Sequence, residues 1–234
     1  MVSYMQLSED VKSKLVSVLD GMARKGASSA LEAVNGTFQD NGVKKLEAFV
    51  LGVRFKVEVA NDGVTVYVED PLNREEDSSR LFVYMLNAIK RVLEGKIVGG
   101  GGRLISLAQL EGGQTAKLYE RRIVNFLAAE MDGSTAEEVE AAVKKIGGAM
   151  VAHADATWSF EVHPFKGVRI RAVFWQGEEG IPSGASLLLD EAAKDAGVPI
   201  EELMVIVEMA VNRFVLFYRQ LTGKKPKMFK SLYI

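Results

Sequence analysis

A regular alternation of apolar and polar residues runs from position 49 to position 59. The odd positions carry Phe49, Leu51, Val53, Phe55, Val57 and Val59, and charged residues occupy positions 54, 56 and 58. A period of two is typical of a β-strand with one buried face. Because the parity continues through Gly52, we expect this glycine to lie inside one long strand, as a bulge and not in a turn.

The next apolar run follows the turn-forming residues Asn61 and Asp62. Its valines occupy even positions, Val64, Val66 and Val68. A turn at Asn61 and Asp62 pairs Val59 with Val64 and Val57 with Val66, so that both strands present valines on one face. The sequence therefore predicts a first β-hairpin in this region.

A second hairpin is predicted from residues 153–175. In HADATWSFEVH, residues 153–163, every odd position is polar and every even position from 154 to 162 is apolar, and VRIRAVFW follows from position 168. The two apolar faces coincide only if the connecting loop has an odd length. A three-residue loop, Pro164 to Lys166, would place Glu161 opposite Arg169.

Helical periodicity and capping residues predict several helices. Their starts are marked by Ser8, by Ser78, by Ser134 with Glu137 as a capping box, and by Pro199, and a further helix covers residues 115–131. The combination predicts an α+β fold, with an antiparallel sheet built from two long β-hairpins packed against several helices. We expect a single domain over 1–223 with a helical N-terminal segment 1–45, followed by a basic C-terminal tail at 224–234.

The last helix is the most apolar segment of the chain. Its core, LMVIVEMAVNRFVLFY, is interrupted by Glu208, Asn212 and Arg213 and is shorter than the roughly 20 residues of a membrane span. Two interpretations remain open at this point. Helix 199–222 is either a buried core helix or the interface of a homodimer.

Composition excludes several classes of function. The chain has no cysteine, so disulfides, thiolate catalysis and cysteine-ligated metals are excluded. Its 29 basic and 31 acidic residues nearly balance, so the whole-chain charge gives no argument for nucleic acid or an anionic membrane as partner, and we expect neither. The N-terminal sequence MVSYMQLSED lacks the features of a signal peptide, so we expect a cytoplasmic location.

The stretch WQGEEGIPSG, residues 175–184, connects the second hairpin to another apolar run. Glu178 and Glu179 are adjacent carboxylates, and paired carboxylates perform acid–base catalysis when they face one cleft. Asp190, which ends the following apolar run, is the third catalytic candidate. The alternative is a solubilising loop between two buried elements.

Aromatic, amide and guanidinium groups flank the same stretch. Trp175 and Gln176, with Arg169 and Arg171 on the preceding strand, are the candidates for binding a ligand. His153 and Asp155 lie two residues apart on the predicted strand, which suits a pair of metal ligands. His163 would lie about 33 Å farther along that strand and could not share the ion. The alternative for the metal pair is a solvated polar face.

Two further stretches carry weaker signals. The run GGGG at 99–102 lacks the lysine and hydroxyl residue of a phosphate-binding loop, which favours a flexible connector. The tail combines lysines with Phe229 and Tyr233, a mixture that can contact nucleic acid or an acidic protein but is more often disordered. The chain contains no serine-nucleophile elbow and no His-Glu-x-x-His motif.

The order of these segments resembles a prokaryotic family catalogued as domain of unknown function 3786. The segments that carry the resemblance are FVLGVRFKVEV, LFVYMLNAIK, LAQLEGGQTAKLYERRIVNFL, the stretch from IGGAMVAHADATWSF through SLLLDEAA, and VPIEEL, spanning roughly Leu46 to Phe214. A family turn of the form Gly-Asp-x-Glu-Phe-Pro corresponds here to Gly177–Pro182. Leu189–Asp190 and Val198–Glu202 correspond to two later family steps.

The resemblance implies no activity, cofactor or substrate that can be transferred to this chain. Some family members look fused to cysteine-rich iron–sulfur segments, which implies a link to anaerobic redox or corrinoid metabolism. Because this chain has no cysteine, any such cluster would belong to a partner. The cofactor is therefore unknown.

The residues favour a non-catalytic domain that binds a small molecule or a protein partner, or that serves assembly. We expect it to use the loop 175–182, His153 with Asp155, and Asp190. The alternative is a carboxylate-based, divalent-metal-dependent hydrolytic enzyme. In that enzyme, Glu178 or Glu179 would be the acid or base, and His153 and Asp155 would hold the ion.

Overall fold

The computed structural model describes residues 2–32, 34–61, 63–96, 102–110, 113–193 and 197–228. The chain divides into two units, Met1–Val98 and Gly99–Ile234, which are described separately. The prediction of one domain over 1–223 stays a prediction.

The first unit contains an antiparallel sheet and three helices. The strands are β1 (Val2–Tyr4), β2 (Thr37–Asp40), β3 (Lys44–Val50), β4 (Val53–Ala60) and β5 (Gly63–Glu69), and the helices are α1 (Glu9–Lys25), α2 (Ser28–Glu32) and α3 (Glu75–Leu93). The strand order is β1-β5-β4-β3-β2. Segment 1–45 is therefore not helical throughout, because β1, β2 and the start of β3 lie within it.

The predicted register of the first hairpin is confirmed, since Val57 pairs with Val66 and Val59 with Val64. The prediction of one long strand through Gly52 is wrong. Leu51 and Gly52 form a two-residue turn between β3 and β4, with φ angles of 48° and 85°. Positive φ at both central residues is the requirement of a type I′ hairpin turn. The Leu51 side chain is buried, and an apolar residue at this position made the sequence pattern predict a continuous strand.

Helix caps in this unit are predicted with mixed success. Ser8 is the N-cap of α1, as predicted, and its Oγ accepts a hydrogen bond from the Val11 amide at 3.4 Å. Ser78 is not a cap, because α3 begins three residues earlier at Glu75. The buried Ser78 hydroxyl instead donates to Asp70 Oδ2 at 3.0 Å.

The second unit contains another antiparallel sheet and three α-helices among its described residues. The strands are β6 (Leu104–Ile105), β7 (Ala149–Met150), β8 (Trp158–Phe165), β9 (Val168–Trp175) and β10 (Gly184–Asp190), and the helices are α4 (Gly113–Met131), α5 (Ala136–Lys145) and α6 (Ile200–Thr222). The strand order is β6-β10-β9-β8-β7. The α+β fold class is confirmed, and each predicted hairpin belongs to its own sheet.

The second hairpin differs from its prediction in start and in register. The strand β8 begins at Trp158 and not at residue 153. Glu161 pairs with Arg171 and not with Arg169, and a bulge lies between Val162 and Phe165. The extra residue of the bulge aligns the two apolar faces, a role that the sequence analysis assigned to the loop.

Helix α5 begins one residue later than its predicted cap implies. Thr135 and Glu138 form the capping box, in place of Ser134 and Glu137. The Ser134 hydroxyl instead accepts a hydrogen bond from Trp158 Nε1 at 2.9 Å, which ties this helix entry to β8.

Helix α6 is buried along most of its length. Phe214 is fully buried, with ring centroids 4.7 Å from Phe160 and 6.1 Å from Trp158. Leu221 is the large apolar side chain of this helix that is exposed. The helix is thus a core helix of the second unit, and a homodimer through helix 199–222 stays a prediction. Within the described part of the chain, no helix has the length and apolar character needed to cross a membrane.

We predict that Phe214→Ala lowers the free energy of unfolding by about 3–5 kcal/mol, because a large cavity replaces a buried ring. Urea denaturation followed by tryptophan fluorescence measures this loss. The control is Leu221→Ala on the same helix, which removes an exposed side chain and should cost less than about 0.5 kcal/mol. Equal losses in the two variants would contradict the assignment of this helix to the core.

Candidate functional site

The β9–β10 loop, residues 176–183, has a tight turn at its tip, residues 178–181. The Ile181 amide donates to the Glu178 carbonyl at 2.9 Å, and Gly180 has a φ of 83°. Glycine adopts this conformation without strain. Glu178 and Glu179 are both exposed at this turn, so the carboxylates predicted as catalytic lie at the tip of a projecting loop.

The base of the loop is held by the carboxylate of Asp132, which follows the last residue of α4. The Ser183 hydroxyl donates to Asp132 Oδ1 at 2.6 Å, and Gln176 Nε2 donates to the same oxygen at 2.7 Å. The Gly177 amide donates to Ser183 Oγ at 2.8 Å. A Cβ at Gly177 would lie 2.4 Å from the Ile181 carbonyl oxygen, so the two sides of the loop are in close contact.

Gln176 joins the loop to two other segments. Its side-chain oxygen Oε1 accepts a hydrogen bond from the backbone amide of Gly133 at 2.7 Å. The backbone amide of Gln176 donates to Thr157 Oγ1 at 2.8 Å. Gln176 was predicted to bind a ligand. Its side chain makes internal hydrogen bonds that position the loop, and the ligand-binding role stays a prediction.

The electrostatics of this network keep Asp132 ionised. Hydrogen bonds from Ser183 and then Gln176 lower the pKa of the Asp132 carboxyl, and Lys227 contributes further. The Ser183 hydroxyl donates to this carboxylate and accepts from Gly177 and Gln176. With its hydrogen-bonding capacity filled, Ser183 serves to hold the loop.

The C-terminal segment Gly223–Met228 lies against the same end of α4. Lys224 Nζ is 2.6 Å from Glu138 Oε2, and the amides of Lys227 and Met228 donate to the buried Glu130. The Lys227 ammonium donates to the Asp132 carbonyl oxygen and lies 3.7 Å from Asp132 Oδ2. The described part of the predicted basic tail is therefore docked, while residues 229–234 lie outside the described residues.

A cleft of about 610 Å³ opens between α4 and the β9–β10 loop. Helix α4 contributes Asn125, Ala128 and Ala129, and Asp132 follows the helix directly. The loop contributes Gly177, Glu178, Ile181, Pro182 and Ser183. Its walls combine small apolar groups with two carboxylates. Ile181 is 65% exposed and places an apolar side chain at the mouth of the cleft.

The exposed face of α4 continues from the cleft. Leu118 is 77% exposed, and it lies on the same helical stripe as Asn125 and Ala129 because these positions are seven and eleven residues apart. At 1.5 Å per residue, Leu118 and Ala129 are about 16 Å apart along the helix axis. Exposed apolar side chains therefore lie at both ends of the surface formed by the cleft and the α4 stripe: Ile181 in the cleft beside Ala129, and Leu118 at the far end of the stripe.

The two arginines predicted to bind a ligand lie on the polar face of the second sheet. Arg171 forms a close ion pair with Glu161, with an N–O distance of 2.6 Å, while Arg169 Nε lies 3.6 Å from Glu161 and 4.0 Å from Asp190. Glu161 and Asp190 are largely buried. The arginines thus neutralise carboxylates of their own sheet.

Asp190 contacts the backbone of neighbouring segments. Its Oδ1 accepts from the Ala192 amide at 3.0 Å, and a Cβ at Gly102 would lie 2.4 Å from that oxygen. The Gly102 backbone therefore approaches this carboxylate closely, and a catalytic role of Asp190 stays a prediction. The other glycines of the GGGG run, residues 99–101, lie outside the described residues.

His153 and Asp155 do not share a strand face, because both precede β8. Asp155 lies in a turn with a φ of 57°, and the His153 ring contacts Trp175 edge-on at a centroid distance of 6.1 Å. No group of three or more histidine, aspartate and glutamate side chains is placed to hold a metal ion within the described residues. The strand geometry on which the metal hypothesis depended is therefore wrong.

The predicted site residues fall into two separate places. Trp175 is the last residue of β9, Gln176 and the two glutamates follow it, and His153 contacts Trp175. Arg169 and Asp190 lie near the other end, since Leu189 pairs with Ile170. Six residues of strand separate Ile170 from Gln176, which is about 20 Å.

The sequence analysis missed Asp132, Ser183 and Thr157. A local signal for Asp132 existed, because Asp-Gly directly after an apolar helix is typical of a helix end. Its hydrogen-bond partners lie 44 and 51 residues away in sequence, so no local pattern could join them.

These observations define an α+β protein whose second unit carries an open cleft with acidic and apolar walls. The family model "Domain of unknown function (DUF3786)" matches residues 27–213, which is most of the chain, and the chain belongs to this family. No curated protein and no solved structure matches it. The matched region includes Asp132 and the whole β9–β10 loop, and Lys227 lies beyond it.

We predict that Asp132→Asn and Ser183→Ala are coupled by about 0.5–1.5 kcal/mol, the usual contribution of one hydrogen bond. A double-mutant cycle measured by urea denaturation gives this value. The control cycle combines Asp132→Asn with Leu221→Ala, which should be additive within about 0.5 kcal/mol. A coupling near zero between Asp132 and Ser183 would contradict the proposed anchor.

The lowered pKa of Asp132 predicts an acid-sensitive loop. Folding favours the charged carboxylate, so its contribution is fully present above the ordinary aspartate pKa and is lost as the pH falls through the lowered pKa, below about pH 4. The amide NMR signal of Gly177 should report this transition. The Asp132→Asn variant should lack it, and an identical titration in that variant would contradict the prediction.

Proposed function

We propose that this chain is a non-catalytic binding domain that takes a basic, amphipathic segment of a partner protein into the cleft between α4 and the β9–β10 loop. The observation that carries the proposal is the exposed Ile181 beside the carboxylates of Asp132 and Glu178, on a loop that is fixed by hydrogen bonds.

The apolar part of the cleft supplies the expected binding energy. Ile181, Pro182, Ala128 and Ala129 present surface that a leucine-sized side chain could cover. Burying such a side chain contributes about 1.5–3 kcal/mol. Interfaces concentrate their binding energy in a few apolar anchors of this kind.

The charges favour a cationic partner over an anionic one. Glu178 and Glu179 make no ion pair with a described residue, and both are exposed. Two exposed arginines, Arg121 and Arg122, lie on α4 between Leu118 and Asn125. Arg122 already lies 3.4 Å from Glu208, and its guanidinium lies over the Tyr119 ring. A lysine or arginine of the partner would therefore meet unpaired carboxylates at the loop tip.

The shape of the surface favours a protein segment over a small molecule. Small-ligand sites bury most of the ligand in a concave pocket. Here the cleft is open and continues along α4 toward Leu118, over about 16 Å. An amphipathic helix or an extended peptide covers a surface of that length with a few side chains.

The enzyme alternative is less favoured by the same geometry. A carboxylate-based, metal-dependent hydrolase needs its acid, base and ligands to converge in one cleft. Glu178 and Glu179 lie at an exposed turn, whereas Asp190 is engaged near the other end of β9. A cytoplasmic location and a partner from anaerobic redox or corrinoid metabolism stay predictions.

We predict that a synthetic peptide of about a dozen leucine and lysine residues, patterned as an amphipathic helix, binds this cleft. In an NMR titration, it should shift amide signals in residues 125–132 and 177–183. The same peptide with glutamate in place of lysine should not bind, because it would face the carboxylates with like charge.

Variants of the two surfaces make this test specific. Ile181→Ser should weaken binding about tenfold, since the apolar anchor is lost. The matched control is Val2→Ser, which removes an apolar side chain of similar exposure, 57%, in the other unit. Absence of saturable shifts, or equal affinity of Ile181→Ser and the wild type, would overturn the proposed function.

A further inference from the structure

We infer that Lys227 is an internal competitor for the cleft: its ammonium occupies the Asp132 carboxylate that a basic partner would contact, and the partner must displace it. This inference rests on the proposed function and assigns a regulatory role to the segment Gly223–Met228. It follows from a difference in strength: the contacts that hold the backbone of the segment are strong, whereas the ion pair between Lys227 and the Asp132 carboxylate is weak.

The anchor at Glu130 is strong. Glu130 is 4% exposed, Arg219 lies 2.6 Å from its Oε1, and the amides of Lys227 and Met228 donate to the same oxygen at 3.1 and 2.8 Å. Charge-assisted hydrogen bonds to a buried carboxylate are among the stronger interactions in proteins. The backbone of the segment is therefore fixed at this point.

A second anchor lies at Lys224. Its ammonium contacts Glu138 at 2.6 Å and donates to the Tyr218 hydroxyl at 2.8 Å. The hydrogen bond to Glu138, followed by the one to Tyr218, raises the pKa of Lys224, and that from Lys224 lowers the pKa of Glu138. This network holds the start of the segment against α5.

The contact between Lys227 and the Asp132 carboxylate is weaker. Their charged atoms are 3.7 Å apart, and the side chains are 41% and 53% exposed. Ion pairs of this kind contribute little to stability and are screened by salt. The same ammonium donates a hydrogen bond to the Asp132 carbonyl oxygen, at an exposed position. Because the backbone of Lys227 is held separately at Glu130, its side chain can leave the carboxylate while the segment stays docked.

Displacement leaves the loop anchor intact. Ser183 and Gln176 bond to Asp132 Oδ1, whereas the ion pair of Lys227 is with Oδ2. An incoming cation can therefore replace Lys227 at Oδ2 without breaking the hydrogen bonds that hold the loop. The cleft keeps its shape while its charge becomes available.

The test compares Lys227→Met with Lys225→Met in the full chain. Both variants remove one positive charge from adjacent parts of the segment, and Lys225 is exposed. The probe is the leucine–lysine peptide described above, titrated at low salt. Lys227→Met should bind it about two- to fivefold more tightly than Lys225→Met, because only the former removes a competitor for Asp132.

A second readout requires no peptide. Lys227→Met should raise the pKa of Asp132, followed by NMR of its side-chain carbonyl carbon, while Lys225→Met should change it less. The amide signal of Met228 should stay in place in both variants, since the Glu130 anchor is retained. A change in the chemical shift of the Met228 amide to that of an undocked segment would contradict the separate anchoring of backbone and side chain.

The outcomes separate the two proposals. Equal peptide affinities of Lys227→Met and Lys225→Met, with Ile181-dependent binding intact, would overturn the competition alone. Failure of the peptide to bind the wild type and both variants would overturn the proposed function and the competition with it. An unchanged Asp132 pKa in Lys227→Met would overturn the contact itself.

Discussion

The carboxylate of Asp132 is the group on which the candidate site depends. It lies just beyond Met131, the last residue of α4, where the negative end of the helix dipole disfavours a negative charge. The charge is retained because Ser183, Gln176 and Lys227 surround it with donors. One locally unfavourable charge thereby joins the end of a helix, the β9–β10 loop and the C-terminal segment.

This arrangement fixes the base of the loop and leaves its tip exposed. Gln176 connects to Gly133 and to Thr157, so the loop is tied to the α4–α5 connection and to the entry of β8. The tip, from Glu178 to Ile181, is closed by its own backbone hydrogen bond. A loop that is ordered before binding loses little conformational entropy when a partner docks, which favours recognition by exposed side chains.

The sequence was informative wherever structure depends on neighbouring residues. The valine register of β4 and β5 and the start of α6 after Pro199 follow from local periodicity and capping. A two-residue hairpin reverses strand parity, and the buried side chains of β3 are accordingly at even positions, Leu46, Ala48 and Val50. The turn was missed because Phe49, on the other face of β3, and Leu51, buried in the turn itself, extend the odd-numbered apolar pattern of β4. The start of β8 was missed because polar and apolar residues also alternate in the turn around Asp155. The Asp132 network was out of reach because tertiary packing alone brings its partners together.

The distribution of paired and unpaired charges explains why the candidate site moved from the strands to the loop. Arg169 and Arg171 are ligand-binding candidates in the sequence, yet Glu161 already pairs with Arg171 at 2.6 Å on a largely buried face. Arg169 has Glu161 and Asp190 within ion-pair distance, although its Nε has no hydrogen-bond partner among the described residues. Charges that are satisfied within a sheet have little energy to gain from a ligand, because binding must first break an existing ion pair. Glu178 and Glu179 have no such internal partner among the described residues, and they lie beside exposed apolar surface. Recognition is therefore favoured where electrostatic interactions are still unmade, at the edge of a scaffold whose other charges already hold it together.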